Sequence, residues 1–194
     1  MLLEWRDVGV NGGPSVGTSL TDGESEKLAE LASGRSVLEV GSYHGYSAIL
    51  ATLAGARHVV AVDVHAVADT LRPGSSAVVY DEFPPFSVTM RRNLRVYGVR
   101  DRVTIVAGRS QIVLPALAEL GTRVDLVFVD GDHGHDAALE DFRNGSRLLN
   151  EDGILVAHDC DADVCPQVLE AWGEFLSDRG GKVEQVDTMG IWFS

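Results

Sequence analysis

Five short runs rich in Val, Ile and Leu, at 37–40, 58–62, 103–107, 124–129 and 154–157, recur at fairly even spacing along this chain. Near-continuous apolarity over so few residues suits strands covered on both faces, as in a parallel sheet. Segments with helical spacing accompany them, at 46–53, 86–97, 111–120, 136–149 and 164–177. Strand, helix, strand repeated in this way predicts a doubly wound, Rossmann-like α/β sheet with right-handed crossovers. At 194 residues the chain has room for one such domain and no more.

Both ends add to this core. Thr21-Asp22-Gly23-Glu24 reads as a capping box opening a helix through Leu31, placed to cover a sheet edge. Residues 182–187 and 191–193 read as two strands joined by a tight turn at Thr188-Met189-Gly190, which puts one antiparallel strand at the end of the sheet. Residues 64–85 break the rhythm with three prolines, Gly74 and the apolar patch 77–80. Long loops of this kind are functional lids or disordered, and the patch suggests a homodimer contact.

Composition narrows the partners. A net charge of −13 repels phosphate backbones and anionic headgroups, so neither nucleic acid nor a membrane surface is expected as partner. No apolar run approaches the roughly 20 residues that span a bilayer, and Glu4 and Asp7 stand where a signal peptide needs a basic start and an apolar stretch. Two cysteines, Cys160 and Cys165, make no disulfide framework, which together with the start of the chain predicts a cytoplasmic protein.

Chemistry concentrates at the strand ends. Gly41 and Gly45 lie where the first strand turns into a helix, so the backbone can bend sharply and bring helix amides near a ligand. The spacing is not that of a dinucleotide loop, since Tyr43 and His44 follow Ser42. Glu39, just before the turn, suits a cationic ligand group better than a pyrophosphate. Asp63 ends the second strand about 20 residues later, the distance at which an acidic residue meets ribose hydroxyls.

Here Val37-Leu-Glu-Val-Gly-Ser-Tyr-His-Gly-Tyr-Ser-Ala48 resembles the first motif of catechol O-methyltransferase and its relatives, the class I S-adenosylmethionine-dependent methyltransferases. The resemblance continues through Gly98-Val-Arg-Asp-Arg-Val103, Gly108-Arg-Ser-Gln111, Asp125-Leu-Val-Phe-Val-Asp130 and Gly153-Ile-Leu-Val-Ala-His-Asp159. It implies a seven-stranded sheet with its last strand antiparallel. It also implies that Gly41, Tyr43 and Ser47 surround the methionine part of S-adenosylmethionine, that Asp63 takes the ribose, and that Ser110 and Gln111 edge the adenine. Ser42, Gly45, Val64, Gly108 and Asp130 complete the expected cofactor contacts.

Asp130-Gly131-Asp132-His133 and His158-Asp159 end the next two strands, which a doubly wound sheet makes neighbours. Oxygen-rich donors there suit a hard divalent cation such as Mg²⁺. The same residues resemble the metal-dependent O-methyltransferases of sugars and aromatic rings, which implies Asp130 and Asp159 as metal ligands and Asp132 or His133 as general base. His158 stands where many relatives have a carboxylate, and an imidazole there shifts the preference toward Mn²⁺, Fe²⁺ or Zn²⁺. The expected function is O-methylation of a small hydroxylated molecule, a phenol or a sugar ring. Alternatives are an iron-dependent hydroxylase using Asp130, His158 and Asp159, and a noncatalytic cofactor-binding protein. A structural zinc held by His158, Asp159, Cys160 and Cys165 is disfavoured, because the spacing lacks a paired C-x-x-C.

Overall fold

The computed structural model describes residues 16–64 and 86–194. The start of the chain, the lid-like stretch 65–85 and the patch 77–80 lie outside the described residues. Seven strands form one sheet in the order β3-β2-β1-β4-β5-β7-β6: β1 Ser36–Val40, β2 His58–Asp63, β3 Val103–Ala107, β4 Val124–Val129, β5 Leu149–Ala157, β6 Lys182–Val186 and β7 Met189–Phe193. The first five pair in parallel, while β7 runs antiparallel to both β5 and β6. This is the expected doubly wound sheet, its order reversing at β1 and β4, where such folds open a ligand crevice.

Alternation along the strands sorts the core into two layers. Val37, Val59, Ala61, Leu126, Phe128 and Val156 pack with α1 (Asp22–Ala32), α2 (Tyr46–Leu53) and α3 (Phe86–Val96). Leu38, Val40, Val62, Val127, Val129 and Leu155 pack with α4 (Ser110–Glu119), α5 (His135–Ser146) and α6 (Pro166–Arg179). Full burial of side chains such as Phe128, Phe142 and Phe175 stabilises each layer by roughly 2–3 kcal/mol per side chain. Among the described residues no helix is long and apolar enough to cross a membrane.

The capping box forms as expected: the Glu24 amide donates to Thr21 Oγ1 at 3.1 Å and the Thr21 amide to Glu24 Oε2 at 2.9 Å. Two boundaries differ from the sequence reading. α5 stops at Ser146, and β5 begins at Leu149 rather than 154. Its first residues, Asn150-Glu-Asp-Gly153, are polar, Asp152 has φ 59, and the register with β4 shifts between Val124 and Leu126, so no apolar run announces them. The hairpin turns at Asp187-Thr188, not at Gly190. Asp187 takes the positive φ of 50 that the tight turn needs, and Gly190 is paired within β7 opposite Gln185. Gly190 is small for another reason: a Cβ there would lie 2.5 Å from Trp172 Nε1.

Candidate active site

Backbone hydrogen bonds carry the sheet one residue past its strand ends. The Gly41 amide donates to Val62 O at 2.9 Å, Asp130 to Val40 O at 2.8 Å, His158 to Val129 O at 3.0 Å and Gly108 to Asp63 O at 2.9 Å. The glycine loop, Asp63, Gly108, Asp130 and His158 are thereby fixed along one edge, as the motif order requires.

At Gly41, φ is +85° and a Cβ would lie 1.8 Å from the carbonyl oxygen of Asp130. Only glycine lets the loop cross the end of β4 so closely. Gly45 caps α2 with φ 87 and abuts Met90. Asp63 Oδ2 accepts from the Ser42 and Tyr43 amides at 2.7 and 2.8 Å, and so holds the loop shut against β2. His44 stacks on Tyr43 with ring centroids 3.7 Å apart, and its carbonyl accepts from Asn93 Nδ2.

Glu39 is buried beneath this loop, on the face of β1 that meets α2. Ser47 Oγ donates to Glu39 Oε1, while Glu39 Oε2 and Ser42 Oγ are buried with no hydrogen-bond partner among the described residues. Burial, reinforced by Asp130 and Asp63 and only partly offset by the bonded Ser47 and the nearby Ser42 hydroxyl, pushes the Glu39 carboxyl up to about 7. An acceptor in this condition is suited to a cationic ligand, which would stabilise its ionised form.

On the neighbouring strand ends, carboxylates and imidazoles interlock. His158 Nδ1 lies 3.2 Å from Asp130 Oδ1 and 3.3 Å from Asp159 Oδ1, and these three residues bring one donor atom each within 4.8 Å of one another. Cis ligands of an octahedral ion bound at about 2.1 Å stand about 3 Å apart, so the set fits one divalent cation. Asp159 holds φ 59 to reach it, and its Oδ2 pairs with His133 Nε2 at 3.0 Å. Burial opposes ionisation of Asp159, yet hydrogen bonds from His133 and His158 hold its carboxyl far below the usual range. Burial likewise works against the charged His158, but Asp130 and Asp159 outweigh it and raise the imidazole to about 10. The Asp159 hydrogen bond, against partial burial, also raises His133.

The other expected residues divide. Ser110 and Gln111 open α4 beside Gly108, at the same edge, and Val64 follows Asp63 and is exposed. Asp132 uses Oδ1 to accept from the Gly134 amide at 2.9 Å, a turn that leads into α5, whereas His133 is bonded to Asp159. The two base candidates are therefore not equivalent. The grouping of Cys160 with Cys165 and His158 does not form: buried Cys160 contacts the Ala157 carbonyl, and Cys165 instead groups with His133 and Asp159. One imidazole with two carboxylates is also the reverse of the two-imidazole set of iron hydroxylases. A cavity of about 280 Å³ lined by Arg91, Leu94, Arg100 and Val103 sits at the opposite, amino-terminal end of β3 and takes no part.

Sequence reading missed Glu24 as part of the site. It lies fully buried with Oε2 3.4 Å from His158 Nε2. The capping-box pattern gave its helix position but no sign of a partner 134 residues away.

A family model described as a methyltransferase domain matches residues 38–160, from β1 to just past β5. Catechol O-methyltransferase B of Danio rerio is 31% identical over 136 residues, 68% of this chain and 44% of that protein. Catechol O-methyltransferase of Bos taurus is 31% identical over 122 residues, 61% of this chain and 36% of that protein. The chain spans less than half the length of these curated relatives. Among solved structures, the O-methyltransferase NovP superposes with a TM-score of 0.66 at 18% identity, covering 98% of this chain and 85% of that one. Cofactor-bound Rv0187 from MTB gives 0.67 at 22% identity, with 90% and 81% covered. At such identities these two show the fold, and the family model carries the kinship: the chain belongs to the methyltransferase-domain family, within the class I S-adenosylmethionine-dependent methyltransferases.

Proposed function

We propose that the protein is an S-adenosylmethionine-dependent O-methyltransferase, assisted by a divalent cation, that methylates a hydroxyl on a small phenol or sugar ring. The observation that carries this reading is the placement of an Asp159–His133 pair and a cation donor set on the same sheet edge as the glycine loop. The catechol O-methyltransferase relatives support the substrate class.

When bound, S-adenosylmethionine supplies the methyl group and a divalent cation supplies charge that favours the ionised substrate oxygen. Glu39 Oε2 and Ser42 Oγ, buried without partners among the described residues, would meet the cationic methionine end. Asp63 would face the ribose, and Ser110 and Gln111 would border the adenine. Asp130, His158 and Asp159 would hold the cation. Asp159 orients His133 through Nε2, so that Nδ1 would take the proton of the substrate hydroxyl. Asp132, engaged with the Gly134 amide, has a turn-forming role beside it. The net charge and the two thiols support a cytoplasmic setting with neither nucleic acid nor membrane as partner. A homodimer completes the reading.

Transfer of labelled methyl from S-adenosylmethionine to a panel of catechols, simpler phenols and sugars tests this directly. Turnover is expected on at least one class, abolished by chelator and restored by Mn²⁺ or Mg²⁺. His133→Ala should lower kcat by about 10²–10⁴-fold with cofactor affinity kept, the usual worth of a general base. Full turnover in His133→Ala would overturn its assignment, and chelator-insensitive turnover would overturn the cation.

A further inference from the structure

The Glu24 side chain joins the amino-terminal helix, the carboxy-terminal hairpin and the strand-end cluster. Its Oε1 accepts from the Thr188 amide at 2.9 Å and the Thr188 hydroxyl at 2.7 Å. Its Oε2 accepts from the Thr21 amide at 2.9 Å and faces His158 Nε2 at 3.4 Å. Thr21 Oγ1 in turn donates to Asp187 Oδ2 at 2.6 Å, closing α1 onto the β6–β7 turn. A capping box needs only the contact with Thr21, which Gln makes as well as Glu, and it needs no burial. Full burial against an imidazole of the cation donor set is an additional feature.

We propose that Glu24 is a positioning residue for the cation site, orienting His158 so that Nδ1 is the ligating nitrogen. This rests on the metal-assisted reading above. The imidazole has two ring nitrogens: Nε2 points at Glu24, and Nδ1 points at Asp130 and Asp159. A carboxylate can only accept, so it holds the Nε2 proton, and the proton that Nδ1 shares with Asp130 and Asp159 is the one a bound cation would displace. Glu24→Gln keeps the shape but turns an amide NH₂ either toward Thr188 or toward His158 and the Thr21 amide, which share one Glu24 oxygen. Toward Thr188 it faces two donors. Toward His158 it favours an unprotonated Nε2, which moves the ring proton to Nδ1 and blocks the ligand position.

The test is calorimetric titration of Mn²⁺ into the wild-type protein and Glu24→Gln, with S-adenosylhomocysteine affinity and thermal unfolding as checks of folding. Glu24→Gln is expected to bind Mn²⁺ about 10–100-fold more weakly, the usual effect of losing such a partner, while S-adenosylhomocysteine binding is unchanged. In the Zn²⁺-loaded wild type, ¹⁵N spectra of the His158 ring should show a protonated Nε2 and a metal-bound Nδ1, a readout that needs no variant. Equal Mn²⁺ affinity in the two proteins, or a metal-bound Nε2, overturns the role of Glu24 alone. No Mn²⁺ uptake by the wild type overturns the metal-assisted reading and this role with it.

Discussion

Single residues set the site because the sheet leaves them no latitude. Gly41 combines a left-handed φ with a Cβ position 1.8 Å from a main-chain oxygen, so neither strain nor collision can be relieved by a side-chain rotation. Gly41→Ala is expected to cost about 3 kcal/mol or more in urea unfolding and to remove S-adenosylmethionine binding. Asp63→Ala should be milder for stability but weaken cofactor binding at least about tenfold, since it frees the Ser42 and Tyr43 amides and removes the ribose partner together. Both residues were legible in the sequence because their signals are local: a glycine after an apolar run, an acid at the next strand end. Glu24 was not. Its capping partner is three residues away, but the imidazole it supports is 134 residues away, and only the folded sheet brings them together.

At the scale of elements, the edge opposite the site is held by Asp125 at the start of β4. It accepts from the Ser36 amide and hydroxyl of β1, from Asn150 of β5 and from Arg57 just before β2. Burial works against its ionisation, but Ser36, Asn150 and Arg57 outweigh it and bring the carboxyl down to about 2. A lowered native pKa gives stability that is complete above the unfolded value near 4 and lost as pH falls through the native one. Wild type should therefore lose stability relative to Asp125→Asn between pH about 4 and about 2, read by chemical unfolding at each pH. At β7, Gly190→Ala forces a Cβ against Trp172 and should cost about 1–3 kcal/mol without altering the cofactor loop. Five of the strands were visible as apolar runs and the last two as a hairpin. The polar start of β5 and the turn residues were not, because one depends on pairing with β4 and the other on a positive φ at Asp187 that no glycine marks.

The whole molecule has one sheet with helices on both faces and its chemistry along one edge. That arrangement gives the strongly negative net charge a local meaning, since Glu39, Asp63, Asp130 and Asp159 gather where a cationic cofactor and a metal are proposed to bind. Asp141 is a separate matter. It is buried on α5, neither oxygen makes a hydrogen bond among the described residues, and burial, reinforced by Glu140 and Asp132 and only partly offset by the nearby Ser110 hydroxyl, pushes it up to about 7. The native protein keeps that proton where the unfolded chain has lost it, so global stability should fall as pH rises from about 4 to about 7. Asp141→Asn is expected to remove its share of this decline, leaving that of Glu39, and to be more stable than wild type above pH 7, because the amide has no charge to desolvate. The central claim, however, is that the carboxyl edge of the sheet is a site for S-adenosylmethionine. Calorimetric titration with S-adenosylmethionine and S-adenosylhomocysteine measures it: saturable one-to-one binding of both, weakened in Asp63→Ala, is the result expected, and no binding of either by the folded wild-type protein would contradict it.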